Sequence, residues 1–346
     1  MTIKASGSPL SFSEISTEFG LPPGKNLGAY RVSETIGTLS NLPLDTEIPQ
    51  SVSIGSSAIK FSNFYGKKLN IVVNCTGMAD FTTRVNARNI YNSPISGTSV
   101  RVIGGFKSKP SNTSTSKVYI NTNTRIGSAK GAASVSALRT GNWQSGTELL
   151  LEIGPSTRIY GSGGDGGNGG TSDPTAGSTG TTALGIEYPT AITNRGYIQA
   201  GFGGGGGGSY RARNVTINAG KKNSYDQWNV SSGGGGGGGA GYPGGTGGTS
   251  GGQQGNYGTS GSAGTNGGLE TKGTGGAGGS EAGAGGDGGQ PPSTNATKGG
   301  DANVTGGALG PNGYTIMYYN DGSGSSLTNY GTIYPNNAYA YNTFPT

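Results

Sequence analysis

Short apolar runs broken by turn residues dominate the first half of the chain. Lys68-Leu69-Asn70-Ile71-Val72-Val73-Asn74, Thr98-Ser99-Val100-Arg101-Val102-Ile103, Lys117-Val118-Tyr119-Ile120 and Glu148-Leu149-Leu150-Leu151-Glu152-Ile153 are bounded by Gly, Pro, Ser and Asn. That pattern predicts strands separated by turns. No long helical period is present. The best helix candidate is Ser11–Phe19, capped by Ser11 or Ser13, followed by Gly20 and stopped by Pro22-Pro23. Leu10-Ser11-Phe12-Ser13-Glu14-Ile15 is echoed by Ile59-Lys60-Phe61-Ser62-Asn63-Phe64. The echo reads either as two clips that pair with each other or a partner, or as a chance match. Three later segments share a form: Thr157-Arg158-Ile159-Tyr160-Gly161, Ile192-Thr193-Asn194-Arg195-Gly196-Tyr197-Ile198 and Leu327-Thr328-Asn329-Tyr330-Gly331-Thr332-Ile333-Tyr334. An Asn-x-Gly turn between short β runs is a repeat unit of stacked β structure.

Between these segments the period changes to three. Gly161, Gly164, Gly167 and Gly170 keep it, as do Gly252, Gly255, Gly258, Gly261, Gly264 and Gly267. Three residues per turn suits an extended helix of the polyproline-II type. Collagen fits badly, because the register breaks often and the chain holds only 16 prolines. Two readings stand: parallel glycine helices held by lateral backbone hydrogen bonds, or a flexible Gly/Ser linker. The regular spacing favours the first. The expected fold is all-β: a β-rich N-terminal part, then a glycine-rich polyglycine-II-type helical bundle capped by short β layers, as rods between end plates.

Composition sharpens this division. Of 74 glycines in 346 residues, 55 lie in residues 161–313. The first 160 residues carry a net charge of +8 and the remainder −2. Residues 314–346 hold seven tyrosines. The chain has no histidine and one cysteine, Cys75, which excludes a His-based catalytic triad, a His metal site and a CxxC pair. No cofactor, metal or catalytic residue is expected. The acids after residue 160 are scattered, and no Gly-Lys-Ser/Thr closes a glycine run, so neither a glycosidase pair nor a phosphate loop is expected. The basic residues of the front are dispersed, which argues against nucleic acid as a partner. No apolar run is long enough to insert in a membrane, and Met1–Ser13 lacks a secretory signal, so synthesis in a cytoplasm is expected.

Several of these stretches together resemble bacteriophage tail-fibre and adhesin proteins, in particular those of marine and cyanobacterial phages. They are Pro9–Ile15 and Ile59–Gly66, Ala137-Leu138-Arg139-Thr140-Gly141 before Ile159-Tyr160-Gly161, the Asn-x-Gly-x-Ile unit leading into Gly203–Gly208, Gly233–Gly245 and Gly306–Tyr314. The resemblance implies a virion protein at the host-contacting end of a tail or tail fibre, made in the host cytoplasm. Its partners would be other tail proteins and a host surface glycan or outer-membrane protein, and a homotrimer is compatible. A purely structural part, such as a fibre shaft, baseplate or decoration protein, is the alternative. The chain divides into an attachment module (1–66), a β-rich domain (67–160), a glycine-rich body (161–313) and a tyrosine-rich cap (314–346).

The candidate recognition element is Ser209–Ser232, set between tracts of six and seven glycines. It carries Tyr210, Arg211, Arg213, Tyr225 and Trp228, and four of the seven basic residues after residue 160. Aromatic faces beside cations suit sugar rings, and Arg suits phosphate or carboxylate groups. Tyr242 and Tyr257 are weaker candidates. Phe12, Ile15, Phe61, Phe64 and Tyr65 are the candidate attachment residues, or equally the core of their own module.

Overall fold

Eighteen strands and two short helices make up most of the regular structure in the computed structural model. It describes residues 6–21, 24, 26–30, 60–103, 107–170, 174–208, 211–218, 224–251, 260–278, 308, 310–319, 324–335 and 338–341.

Among the described residues the strands form five coils, each adding one strand to each of three sheets in the same order. The first coil is β1 (Leu69–Asn74), β2 (Thr82–Thr83) and β3 (Val85–Asn86). β4 (Ser99–Val102) pairs antiparallel with β1 at the sheet edge. The second coil is β5 (Ser116–Thr122), β6 (Arg125–Gly127) and β7 (Ser136–Arg139). The third is β8 (Glu148–Ile153), β9 (Arg158–Tyr160) and β10 (Thr182–Ile186). The fourth is β11 (Thr190–Asn194), β12 (Tyr197–Gln199) and β15 (Ile316–Tyr319), and the fifth is β16 (Ser326–Asn329), β17 (Thr332–Tyr334) and β18 (Ala338–Tyr341). Pairing between coils is parallel throughout, so the body is a three-sided parallel β-solenoid.

Parallel register places like on like. Val73, Ile120, Leu151, Ile192 and Leu327 form one ladder, and Ile126, Ile159, Ile198 and Ile333 another. Every rung except the last of each is almost wholly buried. The two Asn-x-Gly corners stack as the sequence suggests. Asn194 Nδ2 donates to Asn329 Oδ1 at 2.7 Å, and each Asn side chain accepts from the glycine N–H two residues on. A Cβ on Gly331 would lie 2.1 Å from the Gly196 carbonyl oxygen, so only glycine lets the corners stack.

The glycine tracts are insertions in this solenoid, not a segment after it. Both enter at the corner between the second and third sheets: residues 161–181 in the third coil and 200–315 in the fourth. The sheets therefore draw strands from both sides of residues 160 and 313. This corrects the picture of rods between two end plates: the strands before and after the tracts belong to one solenoid, and the tracts are rooted at one end. Successive tracts run alternately away from and back to it. Gly161, Gly164 and Gly167 lie against Thr181, Ser178 and Thr175, whereas Gly163, Gly166 and Gly169 lie against Gly239, Gly236 and Gly234. Backbone hydrogen bonds advance in steps of three: Gly163, Gly166 and Gly169 donate to Pro243, Thr246 and Thr249 at 2.8–2.9 Å. The third position of each step carries the side chains. Asp165 and Asn168 there accept from the backbone and hydroxyls of Thr246 and Thr249.

At the N-terminal end, α1 (Phe12–Phe19) starts in a capping box between Ser11 and Glu14, and Lys107 Nζ binds its last carbonyls. A second helix, α2 (Ala87–Asn92), follows β3 directly and is capped by Asn86. The echo found in the sequence becomes two different structures, α1 and a 3-10 turn at Phe61–Phe64, which pack together. Phe64 meets Phe19 and Tyr30, and Tyr65 Oη donates to the Ser8 carbonyl at 2.6 Å.

Candidate functional site

The expected recognition segment folds as a hairpin. β13 (Arg211–Asn218) pairs antiparallel with β14 (Ser224–Ser231), with Arg211 opposite Ser231, Arg213 opposite Asn229, Asn214 opposite Trp228 and Ile217 opposite Tyr225. Arg211, Arg213, Tyr225 and Trp228 all fall within these two paired strands. Tyr210 lies outside the described residues.

The tracts flanking the hairpin carry it to the end remote from the solenoid. Phe202 bonds to Ala240 near the root, Gly205 to Gly237 and Gly208 to Gly234, and Gly233 to Gly170 at the far end. Tyr257 also lies outside the described residues, in the segment joining 251 to 260. Gly261, next to that segment, sits against Gly233, beside the base of the hairpin.

Tyr242 is placed at the opposite end. Its ring stacks on Phe81 at 3.8 Å between centroids, and its carbonyl accepts from Ser128 N–H at 3.0 Å, so it fastens the tracts to the solenoid. Of the candidate attachment residues, Ile15 and Phe64 are fully buried, in a core continuous with that of the solenoid. Phe12 packs beside Tyr30, Tyr65 is half-buried, and Phe61 is 40 % exposed. Ile15 and Phe19, four residues apart on one helix face, turn inward together, whereas Phe61 and Leu21 face water.

A second cluster had gone unread in the sequence. Thr124-Arg125-Ile126 and Thr157-Arg158-Ile159 repeat the same tripeptide in successive coils, and register stacks Arg125 directly on Arg158 on the outer face of the second sheet. A turn of the glycine tracts closes over them. Arg158 reaches Glu270 Oε1 at 3.2 Å, Tyr160 Oη donates to the same oxygen at 3.1 Å, and Gln199 Nε2 donates to the Leu269 carbonyl at 2.9 Å. The signal was the tripeptide repeat, but Glu270 is more than a hundred residues away and read as an isolated acid.

Glycine tracts rooted at one end on a β-solenoid thus lead to a hairpin whose sequence is rich in polar and aromatic residues. The chain belongs to the phage tail fibre adhesin Gp38 family, whose model matches residues 86–338. It is thus a receptor-binding tail-fibre protein, and its family points to binding rather than catalysis. No curated protein and no solved structure matched the chain significantly.

Proposed function

We propose that the chain contacts a host surface glycan or outer-membrane protein through the hairpin at the remote end of its glycine tracts. Tyr210, Arg211, Arg213, Tyr225 and Trp228 are the recognition residues, with Tyr257 as a weaker candidate. The observation that carries this reading is the position of β13–β14: the tracts that lead to it are bonded laterally to their neighbours along their length. A scaffold of this kind presents the recognition residues on tracts already bonded to one another, which limits the ordering cost of binding.

In the same reading the tracts are polyglycine-II-type helices. Steps of three in both the hydrogen bonds and the close glycine contacts support this. Residues 1–66 attach the adhesin to other tail proteins, with Phe12, Ile15, Phe61, Phe64 and Tyr65 forming that module, and the protein resides in the virion tail. A trimer belongs to the same reading, in which the division at residues 66, 160 and 313 marks functional parts, with 67–160 and 314–346 contributing strands to one solenoid.

The test is binding of the purified protein to host cells, comparing wild type with a variant in which Arg211, Arg213, Tyr225 and Trp228 are all alanine. We expect the variant to keep its circular dichroism spectrum and lose at least about a hundredfold in affinity, since a few buried aromatic and Arg anchors dominate such contacts. Undiminished binding by the folded variant would move recognition elsewhere on the molecule.

A further inference from the structure

We propose that the cleft between the second sheet of the solenoid and the turn at residues 268–271 is a second binding site, for a hexose carrying an anionic substituent. This inference does not depend on the hairpin.

The cleft has a volume of about 390 Å³ and is lined by Arg125, Arg158, Tyr160, Leu269, Glu270 and Thr271. That space falls within the range of small-ligand sites, roughly 300–1,000 Å³. Its two guanidinium groups stand on adjacent parallel strands, whose backbones are roughly 4.8 Å apart. They are under-used. Among the described residues the Arg125 guanidinium makes no hydrogen bond, and its ion pair with Asp80 is loose at 3.9 Å. Arg158 contacts Glu270 and Tyr160 through Nη1. The two guanidinium groups thus line one cleft with N–H groups left for a carboxylate or phosphate, which Arg binds by charge-assisted hydrogen bonds.

The remaining groups suit a sugar ring. Glu270 spends only Oε1 on its protein partners, so Oε2 is available to accept from a ring hydroxyl. Leu269, 37 % exposed, offers an apolar edge for the C–H face of the ring. A nucleobase or an aromatic peptide side chain would need an open aromatic face instead. Phe81, next to the cleft, is covered by Tyr242 on stacking and by the Arg125 guanidinium at 5.8 Å. The backbone supports a built site as well. Phe81 has φ +62°, uncommon for a bulky residue, and holds its ring under Arg125.

The experiment is a titration of the full chain, followed by amide NMR, with galacturonic acid, glucose 6-phosphate and uncharged galactose in parallel. We expect at least one acidic sugar to shift resonances of residues 125–127, 158–160 and 268–271, with galactose binding at least about tenfold more weakly. The two acidic arms tell a carboxylate from a phosphate ligand. Arg125→Ala should weaken the acidic sugar by about tenfold or more, the loss expected for a charged hydrogen-bond partner. Arg125→Gln, which keeps the side-chain volume, should do the same with an unchanged thermal midpoint. A variant with residues 209–232 replaced by a short Gly/Ser turn should bind the acidic sugar as wild type does, which separates this site from the hairpin. No shift with either acid, equal binding of galactose, unchanged affinity in both Arg125 variants, or loss of binding with the hairpin would each overturn the proposal.

Discussion

The solenoid and the glycine tracts solve one problem by opposite means. In the solenoid, side chains hold the layers together: Ile126, Ile159 and Ile198 stack in register and each is fully buried. In the tracts no apolar ladder holds the layers: backbone N–H and carbonyl groups of one tract bond directly to the next, with polar side chains such as Asp165 and Asn168 adding bonds at every third position. The first depends on apolar area removed from water. The second depends on satisfying nearly every backbone group, which must offset the larger chain entropy that glycine loses on ordering. A Cβ is therefore the source of stability in one region and the source of failure in the other.

Removing side chains from the solenoid is the strongest way to test that contrast. Leu151→Ala empties the centre of the ladder formed by Ile120, Leu151 and Ile192, and should cost about 2–5 kcal/mol in calorimetry or chemical denaturation. A loss below about 1 kcal/mol would show that the ladder does not behave as a packed core.

Charge sharpens the comparison next. Glu152 is 4 % exposed, neither carboxylate oxygen has a hydrogen-bond partner, and Arg195 stands 3.8 Å away. Burial pushes its carboxyl up to about 7, with Arg195 opposing the shift. Because the folded value lies above the unfolded one, the neutral acid favours the fold. Its contribution is fully present below about pH 4.5 and is lost as pH rises through about 7. Stability measured by urea denaturation should fall by about 2–3 kcal/mol across that window from this group. Glu152→Gln should flatten the dependence. Hydrogen exchange in residues 233–240, corrected for intrinsic rates, should not follow it, because backbone bonds do not titrate there.

Adding a side chain to the tracts is the smallest perturbation and the most local. A Cβ on Gly238 would lie 1.9 Å from the Gly245 carbonyl oxygen, and backbone on both sides leaves nowhere to yield. Gly238→Ala should cost about 1–3 kcal/mol. Hydrogen exchange should rise in residues 233–248 while residues 148–153 stay protected. The reverse pattern would mean that the tracts depend on the solenoid rather than on their own bonds.

Local chemistry fixed much of this in advance. The strand runs at 69–74 and 148–153, the cap of α1 at Ser11 and the Asn-x-Gly corners are all decided by residues within a few positions of one another, so they are legible in the sequence. So is the three-residue period, since close backbone approach forbids a Cβ at regular intervals. The segment 209–232 stands out as an island of aromatic and basic residues between glycine runs, but its pairing as a hairpin does not. The tertiary structure alone decided where these pieces go. β12 and β15 belong to one coil although residues 200–315 separate them, and Tyr242, set in glycine-rich sequence, is placed against Phe81. Arg158 and Glu270 meet because a turn of the tracts returns to the sheet. Parallel pairing and antiparallel tracts are contacts between residues distant in the chain. Which partner each strand or tract takes is set by register and closure of the whole, which no short stretch of residues encodes.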